Sequence, residues 1–159
     1  MSRTPPAVPA PTPRSPQKQR PCPRVAAVRF SGYTVRSDKE DDVKALFILN
    51  DPPYGTERTY NGIRLANNLL KASESAEVTV FLMGDAVVAA NAGQQTPNGY
   101  YNLERMLKGL LARGAKVLLC GTCMDARGIQ EEDLVEGSRR SSMDELAEAT
   151  IAAEKVLVF

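Results

Sequence analysis

The chain has 159 residues, 43% hydrophobic and 25% charged, a composition typical of one globular domain. No apolar stretch approaches the roughly 20 residues that span a bilayer, so no membrane-spanning segment is expected. The formal net charge of +1 combines six basic and no acidic residues before position 31 with a net −5 in the remainder, and an acidic body argues against nucleic-acid binding.

The N-terminal segment differs sharply in composition from the rest, with eight prolines and no acidic residue in its first 24 positions. It cannot bury enough apolar surface to offset its ordering entropy, so residues 1–43 are expected to form a disordered Pro/Arg-rich extension before a folded domain at 44–159. It lacks the apolar core of a signal peptide, and three cysteines, an odd number, do not indicate a disulfide scaffold. We expect a cytoplasmic protein with either a genuine tail or a start assigned too far upstream.

Four short apolar runs in the folded part are typical of strands covered on both faces. They lie at 45–49, 78–83, 116–120 and 156–159. Helical patterns alternate with them: a stripe from 60 to 70, an alanine-rich turn at 86–92, a stripe at 103–111 capped by Asn102, a short helix at 129–135, and a helix opened by a Ser142–Glu145 capping box. This alternation predicts an α/β three-layer sandwich with a mostly parallel sheet.

A pair of thiols, Cys120 and Cys123, follows the third apolar run, where the carboxyl end of a strand can face a ligand crevice. The chain has no histidine, so a Cys–His pair is excluded and any activation must come from cations or backbone dipoles. Arg127 and the N–H groups around Gly121 and Gly128 are the candidates for stabilising a Cys120 thiolate. The alternative is that Cys120 is an ordinary buried thiol.

The Cys-x-x-Cys spacing also occurs at the start of a helix in thioredoxin-like proteins. Here the motif follows a late strand, lacks a neighbouring tryptophan, and has no proline after position 97, so the spacing alone is weak evidence for an oxidoreductase. Cys123 is interpreted as an auxiliary thiol, with an incidental loop thiol as the alternative. Two close thiols and the remote Cys22 do not make a four-ligand zinc site, so we expect no metal and no cofactor.

Two tyrosine-bearing loops complete the candidate list. Asp51-Pro-Pro-Tyr-Gly-Thr-Glu follows the first strand, where backbone N–H groups can meet an anion, although neither a P-loop nor a G-x-G-x-x-G pattern is present. Most of this loop is expected to be a rigid turn, with Tyr54 reaching the crevice. Tyr100 and Tyr101 are adjacent in a polar loop and are expected to anchor an interface, with a lid over the site as the alternative.

From about residue 44 to residue 159 the chain resembles the DsrE/DsrF-like proteins, most closely their YchN-type branch. The segments that carry the resemblance are Asp51-Pro-Pro-Tyr-Gly-Thr-Glu, Phe81-Leu-Met-Gly-Asp-Ala-Val, Gly99-Tyr-Tyr-Asn-Leu, Leu119-Cys-Gly-Thr-Cys-Met-Asp-Ala-Arg-Gly-Ile and the closing Leu146-Ala with Ala153-Glu-Lys-Val-Leu-Val-Phe. The resemblance implies small α/β domains that assemble as trimers or hexamers. In some members a cysteine accepts sulfane sulfur as a persulfide and passes it to the next carrier.

The resemblance also implies roles for individual residues. The relay cysteine of the sulfur-carrying members corresponds to Cys120, and the Arg-Gly that follows it corresponds to Arg127-Gly128. Cys123 is shared with the YchN-type branch and not with the members that act in tRNA thiolation, so no particular pathway is implied.

The leading hypothesis is therefore a homo-oligomeric sulfur carrier or sulfurtransferase-like protein, whose partners would be sulfur donor and acceptor proteins rather than nucleic acid or membrane. Whether such a carrier turns over as an enzyme is left open. One alternative is a non-catalytic oligomeric binding module of the same fold. The other is a thiol-redox protein that cycles a Cys120–Cys123 disulfide.

Overall fold

The fold was analysed in a computed structural model, which describes residues 43–98 and 101–159. The strands in this part are β1 (Lys44–Leu49), β2 (Glu77–Leu82), β3 (Lys116–Cys120), β4 (Arg139–Ser141) and β5 (Lys155–Val158). The α-helices are α1 (Arg58–Ala72), α2 (Leu103–Leu111), α3 (Gly121–Asp125) and α4 (Met143–Ala152), with 3-10 helices at Gly84–Ala90 and Glu131–Asp133. The strands form one sheet in the order β4-β3-β2-β1-β5, and every neighbouring pair is parallel. The predicted α/β class is confirmed.

Two separate sets of apolar side chains cover the two faces of the sheet. On one face Phe47 and Val80 pack with Ile63 of α1 and Leu107 of α2, all of them buried. On the other face Leu46, Phe81 and Leu118 lie under Leu146 of α4. The sheet is therefore the middle of three layers. Full burial of one such side chain contributes about 1.5–3 kcal/mol, so α2 gains most of its stability from its apolar stripe.

Both predicted N-caps are observed, but the capping box predicted at the start of α4 is incomplete. Asn102 Oδ1 accepts a hydrogen bond from the backbone N–H of Arg105, which starts α2. Ser142 Oγ accepts one from the backbone N–H of Glu145, which starts α4. The Glu145 carboxylate does not complete the predicted capping box, because it binds Ser141 Oγ and the guanidinium of Arg139.

Four local predictions were wrong. Strand β4 was missed because its Arg-Arg-Ser sequence is short, polar and mostly exposed, so it gives no apolar run. The helix predicted at 129–135 is only the 3-10 turn Glu131–Asp133, and the turn predicted at 86–92 is also 3-10. The segment after Cys120, predicted as a loop, begins the short helix α3. Each error concerns a segment too short to show a helical or alternating pattern.

The order of the strands places Cys120 away from the point where the chain reverses its direction across the sheet. The chain passes outward from β1 to β4 and then returns to place β5 beside β1. In doubly wound sheets ligands bind where the order reverses, which here lies between β1 and β5. Cys120 ends β3, on the other side of β2, so its site is distinct from the usual crevice of such folds.

Two predictions fall on residues that the structure does not describe. The predicted extension, 1–43, lies outside the described residues except for Val43, whose carbonyl accepts a hydrogen bond from Glu77 N–H. Tyr100 also lies outside them. Every helix in the described part is too short or too polar to cross a bilayer.

Candidate functional site

Cys120 is held by the sheet on one side and by the start of a helix on the other. It is the last residue of β3, which is hydrogen-bonded to β2 and β4, and it is also the N-cap of α3. Its side chain belongs to the apolar cluster under Leu146 and is only 3% exposed. Cys120 is thus buried, as in the alternative given for it above, and a sulfur atom can reach its Sγ only if neighbouring side chains move.

The groups around Cys120 Sγ favour the thiolate. Burial raises the pKa of the Cys120 thiol, but hydrogen bonds from the Thr122 hydroxyl and the Cys123 thiol, and from the backbone N–H groups of Cys123 and Thr122, outweigh it and lower the pKa below its usual value. Thr122 Oγ1 lies 3.2 Å from Cys120 Sγ, and it is the donor when Cys120 is ionised. Cys120 is therefore the more acidic of the two thiols.

The surroundings of Cys123 favour the protonated thiol. Its Sγ accepts a hydrogen bond from the backbone N–H of Gly84 at 3.2 Å. Burial and the bond to the Cys120 thiol raise the pKa of Cys123, while Gly84 N–H and the charge of Arg127 act in the opposite direction and are outweighed. Of the two thiols, Cys120 therefore loses its proton first, and Cys123 keeps its proton beside it. Both cysteines are free.

Arg127 lies on the Cys123 side of the motif. Its Nε and Nη2 donate to Asp85 Oδ1 at 3.1 and 2.6 Å, and its Nη1 donates to the Cys123 carbonyl at 2.9 Å. Its charge acts on the pKa of Cys123. The structure therefore brings Arg127 to the motif, but its hydrogen bonds are with Asp85 and Cys123 rather than with Cys120, on which the sequence analysis had placed its effect.

Arg140 is a residue of the site that sequence reasoning missed. It lies on β4, beside β3, and its Nη1 and Nη2 donate to the two carboxylate oxygens of Asp125 at 2.7 Å each. Its guanidinium packs directly against the backbone of Gly121. No signal in the sequence joined Arg140 to Cys120, because the contact depends on the pairing of β4 with β3.

The two predicted glycines have different environments. Gly121 is the buried first residue of α3, under the guanidinium of Arg140. Gly128 has φ +66, and its N–H donates to the Asp125 carbonyl at 3.1 Å, so this group closes the turn after α3. The backbone N–H groups that act on Cys120 are those of Thr122 and Cys123.

Tyr54 belongs to an aromatic stack rather than to the thiol motif. Its ring stacks on Tyr101 at 5.7 Å between centroids, Tyr101 stacks on Tyr60 at 3.9 Å, and Tyr54 Oη donates to Gln94 Oε1 at 2.9 Å. These contacts fasten the loop after β1 to the segment before α2. Tyr101 is half-buried in this stack, and its expected place at an interface stays a prediction. Burial raises its pKa, with nearby Glu57, Tyr54 and Tyr60 adding to the effect.

The thiol pair does not lie in the groove between α4 and the sheet. That groove, of about 370 Å³, lies at the opposite edge, where Lys44, Glu77 and Lys116 begin their strands. The described residues contain no cluster of three or more metal-ligating side chains. The motif itself offers a thiol whose pKa is lowered beside a thiol whose pKa is raised, an arrangement suited to nucleophilic attack by Cys120 on another sulfur atom.

Comparison with known proteins gives a consistent result over the folded part. A sequence model of the DsrE/DsrF-like family matches residues 43–159. Protein YchN of Escherichia coli strain K12 is 40% identical over 116 residues, which are 73% of this chain and 98% of that protein. Uncharacterized protein MJ0989 of Methanocaldococcus jannaschii is 36% identical over 117 residues, 74% of this chain and 100% of that protein.

Solved structures agree with the sequence comparison. The crystal structure of the YchN protein from E. coli superimposes with a TM-score of 0.70 at 40% identity, over 74% of this chain and 99% of that one. A protein of unknown function, MTH1491 of Methanobacterium thermoautotrophicum, gives a TM-score of 0.61 at 16% identity over 74% of this chain and 99% of that one, which shows a common fold alone.

Proposed function

Since the chain belongs to the DsrE/DsrF-like family, we propose that it is a sulfur carrier that accepts sulfane sulfur as a persulfide on Cys120 and passes it on. The observation that carries this proposal is the set of hydrogen bonds that lowers the pKa of Cys120 against the effect of burial. The nucleophilic form of a thiol is the thiolate, so the sulfur that attacks a donor is Cys120 Sγ. Histidine, which the chain lacks, is not needed for this reaction.

The transfer follows the rules of thiol–disulfide exchange. The Cys120 thiolate attacks the outer sulfur of a donor persulfide, a new S–S bond forms at Cys120, and the old S–S bond breaks, releasing the donor as its thiolate. In the second step an acceptor thiolate attacks the outer sulfur of the Cys120 persulfide, and Cys120 leaves as a thiolate. No electrons enter or leave the protein, so neither step requires a cofactor.

Burial of Cys120 limits how the donor reaches it. Its side chain is 3% exposed, whereas Thr122, which is hydrogen-bonded to it, lies at the surface. We propose that the donor sulfur enters by displacing the Thr122 hydroxyl from Cys120 Sγ. A donor protein that inserts a single persulfide side chain meets this requirement better than a bulky persulfide molecule free in solution.

A thiol-redox function is the second candidate, and one specific observation favours it. Cys120 is the N-cap of α3 and Cys123 is the third residue of that helix, with the pKa of Cys120 lowered and that of Cys123 raised. This is how a Cys-x-x-Cys pair divides its work between an attacking and a resolving thiol. In such a cycle Cys120 would form a mixed disulfide with an oxidised substrate, and Cys123 would release it by forming the Cys120–Cys123 disulfide.

One experiment separates the two functions. The purified protein is incubated with a persulfide donor, and the mass added by one sulfur atom, about 32 Da, is located by peptide mapping. The carrier predicts an adduct on Cys120 that persists in Cys123→Ser and disappears in Cys120→Ser. A redox cycle predicts instead that Cys123→Ser traps a mixed disulfide with its substrate. The loss of thiol-redox activity in this variant would then be as large as in Cys120→Ser. Label on neither cysteine would refute the carrier.

We further propose a homo-oligomer, a trimer or hexamer, located in the cytoplasm, where free thiols stay reduced. Val156 and Val158 of β5 are 43% and 64% exposed, and they pair in register with Leu46 and Ile48, whose side chains face α4. α4 therefore leaves part of this apolar face of the sheet uncovered. Exposed apolar surface of this kind is typical of an interface between subunits.

A further inference from the structure

The guanidinium of Arg140 occupies the space where a side chain at position 121 would lie. A Cβ atom built on Gly121 would lie 2.7 Å from Arg140 Nε, 2.8 Å from Cζ and 2.9 Å from Nη2. Gly121 is a helical residue and is not among the residues with positive φ, so backbone conformation does not require a glycine there. A side chain at position 121 would instead have to push the guanidinium of Arg140 aside.

Asp125 fixes the position of this guanidinium. Both of its carboxylate oxygens accept from Arg140, each at 2.7 Å, and such paired bonds fix the plane of the guanidinium as well as its distance. The backbone of β4 holds the other end of the side chain, because Arg140 and Ser141 pair in register with Leu119 and Cys120. The cation is therefore clamped beside the residue that follows Cys120.

We infer that Arg140 is a positioning residue for Cys120, whose clamped guanidinium stabilises negative charge on Sγ, first as the thiolate and then as the persulfide. The persulfide part rests on the proposed function, whereas the thiolate part does not. A guanidinium stays charged throughout the physiological range, so this stabilisation is permanent. The side chain of Arg127, bound to Asp85 and the Cys123 carbonyl, acts on the second thiol instead.

Several charged or titratable groups surround Cys120, and their signs must be considered together. On α3 they are Cys123 and Asp125, and on β4 they are Arg139 and Arg140. Arg127 follows α3 and pairs with Asp85 of the 3-10 helix after β2, and Glu145 of α4 binds Ser141. Among these cations, Arg140 is the one packed on the backbone next to Cys120. The bond to Asp125 raises the pKa of Arg140 against the effect of burial, and the charges of Asp125, Glu131 and Cys120 add to the increase in that order.

Two substitutions that break the same ion pair distinguish an electrostatic role from a merely structural one. The readout is the rate at which iodoacetamide, a neutral reagent, alkylates Cys120 across the pH range, measured by peptide mapping. Arg140→Gln removes the cation, so the curve should move to higher pH, with alkylation at neutral pH roughly 3- to 10-fold slower. Asp125→Asn removes the counter-charge but keeps one oxygen that can accept from Arg140, so the curve should move to lower pH. The double variant, which loses one charge of each sign, should lie between the two single variants.

A structural brace predicts a different result. If Arg140 only ties β4 to α3, both single variants lose the same tie, and both curves move in the same direction, which would overturn the inference. Arg140→Lys keeps the charge and should stay closer to the wild type than Arg140→Gln does. Arg113→Gln, which removes an exposed cation bound to the Gly109 carbonyl on α2, is the matched control and should leave the curve unchanged.

Gly121→Ala provides an independent test if Arg140→Gln fails to fold. It keeps every charge but forces the guanidinium away from the backbone, so the curve should move in the same direction as in Arg140→Gln. An unchanged curve in a folded Gly121→Ala would also overturn the inference. Because alkylation needs no sulfur donor, the two ideas can fail separately. Curves that move as expected in a protein that never carries sulfur would refute only the carrier function.

Discussion

The Sγ atom of Cys123 accepts a hydrogen bond from the backbone N–H of Gly84 at 3.2 Å, which joins the thiol motif to the turn after β2. The same sulfur interacts with Cys120, whose thiolate it stabilises. Cys123 therefore receives one hydrogen bond and gives another. Both hydrogen bonds depend on the position of Gly84. Its φ of +56 is suited to glycine, and its α-carbon faces the Asn50 carbonyl.

Gly84→Ala should destabilise the fold and loosen Cys123. A Cβ at position 84 would lie 3.0 Å from Asn50 O, in addition to the strain of a left-handed backbone, which costs about 1 kcal/mol. Gly93→Ala is the matched control, because Gly93 has φ +77 and nothing within 4 Å of the added atom. Urea unfolding should show a larger loss for Gly84→Ala than for Gly93→Ala. Equal losses would mean that the Asn50 carbonyl moves aside freely.

Thr122→Val should raise the pKa of Cys120. The Thr122 hydroxyl lies 3.2 Å from Cys120 Sγ and stabilises its thiolate, and valine has nearly the same shape without the donor. The rate of alkylation at neutral pH should fall roughly tenfold or more, because a hydrogen bond to a charged group contributes roughly 1.5–3 kcal/mol. Thr122→Ser keeps the hydroxyl and should behave like the wild type. A Thr122→Val protein that reacts as fast as Thr122→Ser would contradict this assignment.

Glu145 should make stability depend on pH in the acid range. The bond from Arg139, assisted by Ser141 and opposed by burial, lowers the pKa of Glu145 from 4.5 to about 2. A carboxylate with a depressed pKa stabilises the folded state above its unfolded pKa, and this contribution is lost as the pH falls from about 4.5 to about 2. Solvent screening of this partly exposed pair limits the effect to about 1 kcal/mol.

The measurement is the free energy of unfolding in urea between neutral pH and acid. Glu145→Gln should be less stable than the wild type at neutral pH, and the difference should shrink as the solution is acidified. Glu148→Gln, an exposed position on the same helix, is the control for the change of charge. A difference that stays constant through the acid range would show that Glu145 acts through packing rather than through its charge.

Val158→Asp should dissociate the proposed oligomer. Val158 is 64% exposed on the face of the sheet that α4 covers only in part, and a carboxylate there cannot be buried without a partner. Size-exclusion chromatography with light scattering should then give the mass of one chain, 17.3 kDa. Leu65→Asp changes an exposed apolar residue of α1, on the opposite layer, and should leave the assembly intact. A wild-type protein that already elutes as a single chain would refute the oligomer itself.

The sequence was informative where burial imposes a pattern. β3 reads Lys-Val-Leu-Leu-Cys, and the four residues after Lys116 are buried, so both the strand and the place of Cys120 at its end could be predicted. β4 could not, because an edge strand of three polar residues has no burial pattern. α3 has five residues and starts with glycine, and its helical form comes from its position after β3 rather than from propensity.

The electrostatics of the site could be predicted less well than its position. Arg127 is the next cation after the cysteines in the sequence, yet its guanidinium binds Asp85, which belongs to the 3-10 helix after β2. Arg140 comes to Gly121 only because β4 pairs with β3. The burial of Cys120 could be given only as an alternative, since Leu146 packs on it from a helix that comes later in the chain. Partners from distant segments leave no trace in local spacing.

The missing side chain at Gly121 has a consequence for how this sequence can evolve. Any larger residue there would have to displace the guanidinium of Arg140, so a change at position 121 is easier once the arginine has been lost. A lineage that first loses the arginine becomes free to accept alanine or serine at position 121, whereas in the reverse order the new side chain has to push the guanidinium away from the backbone. Homologues should therefore pair glycine at this position with arginine on β4, and those without the arginine should show a mixture of small residues there.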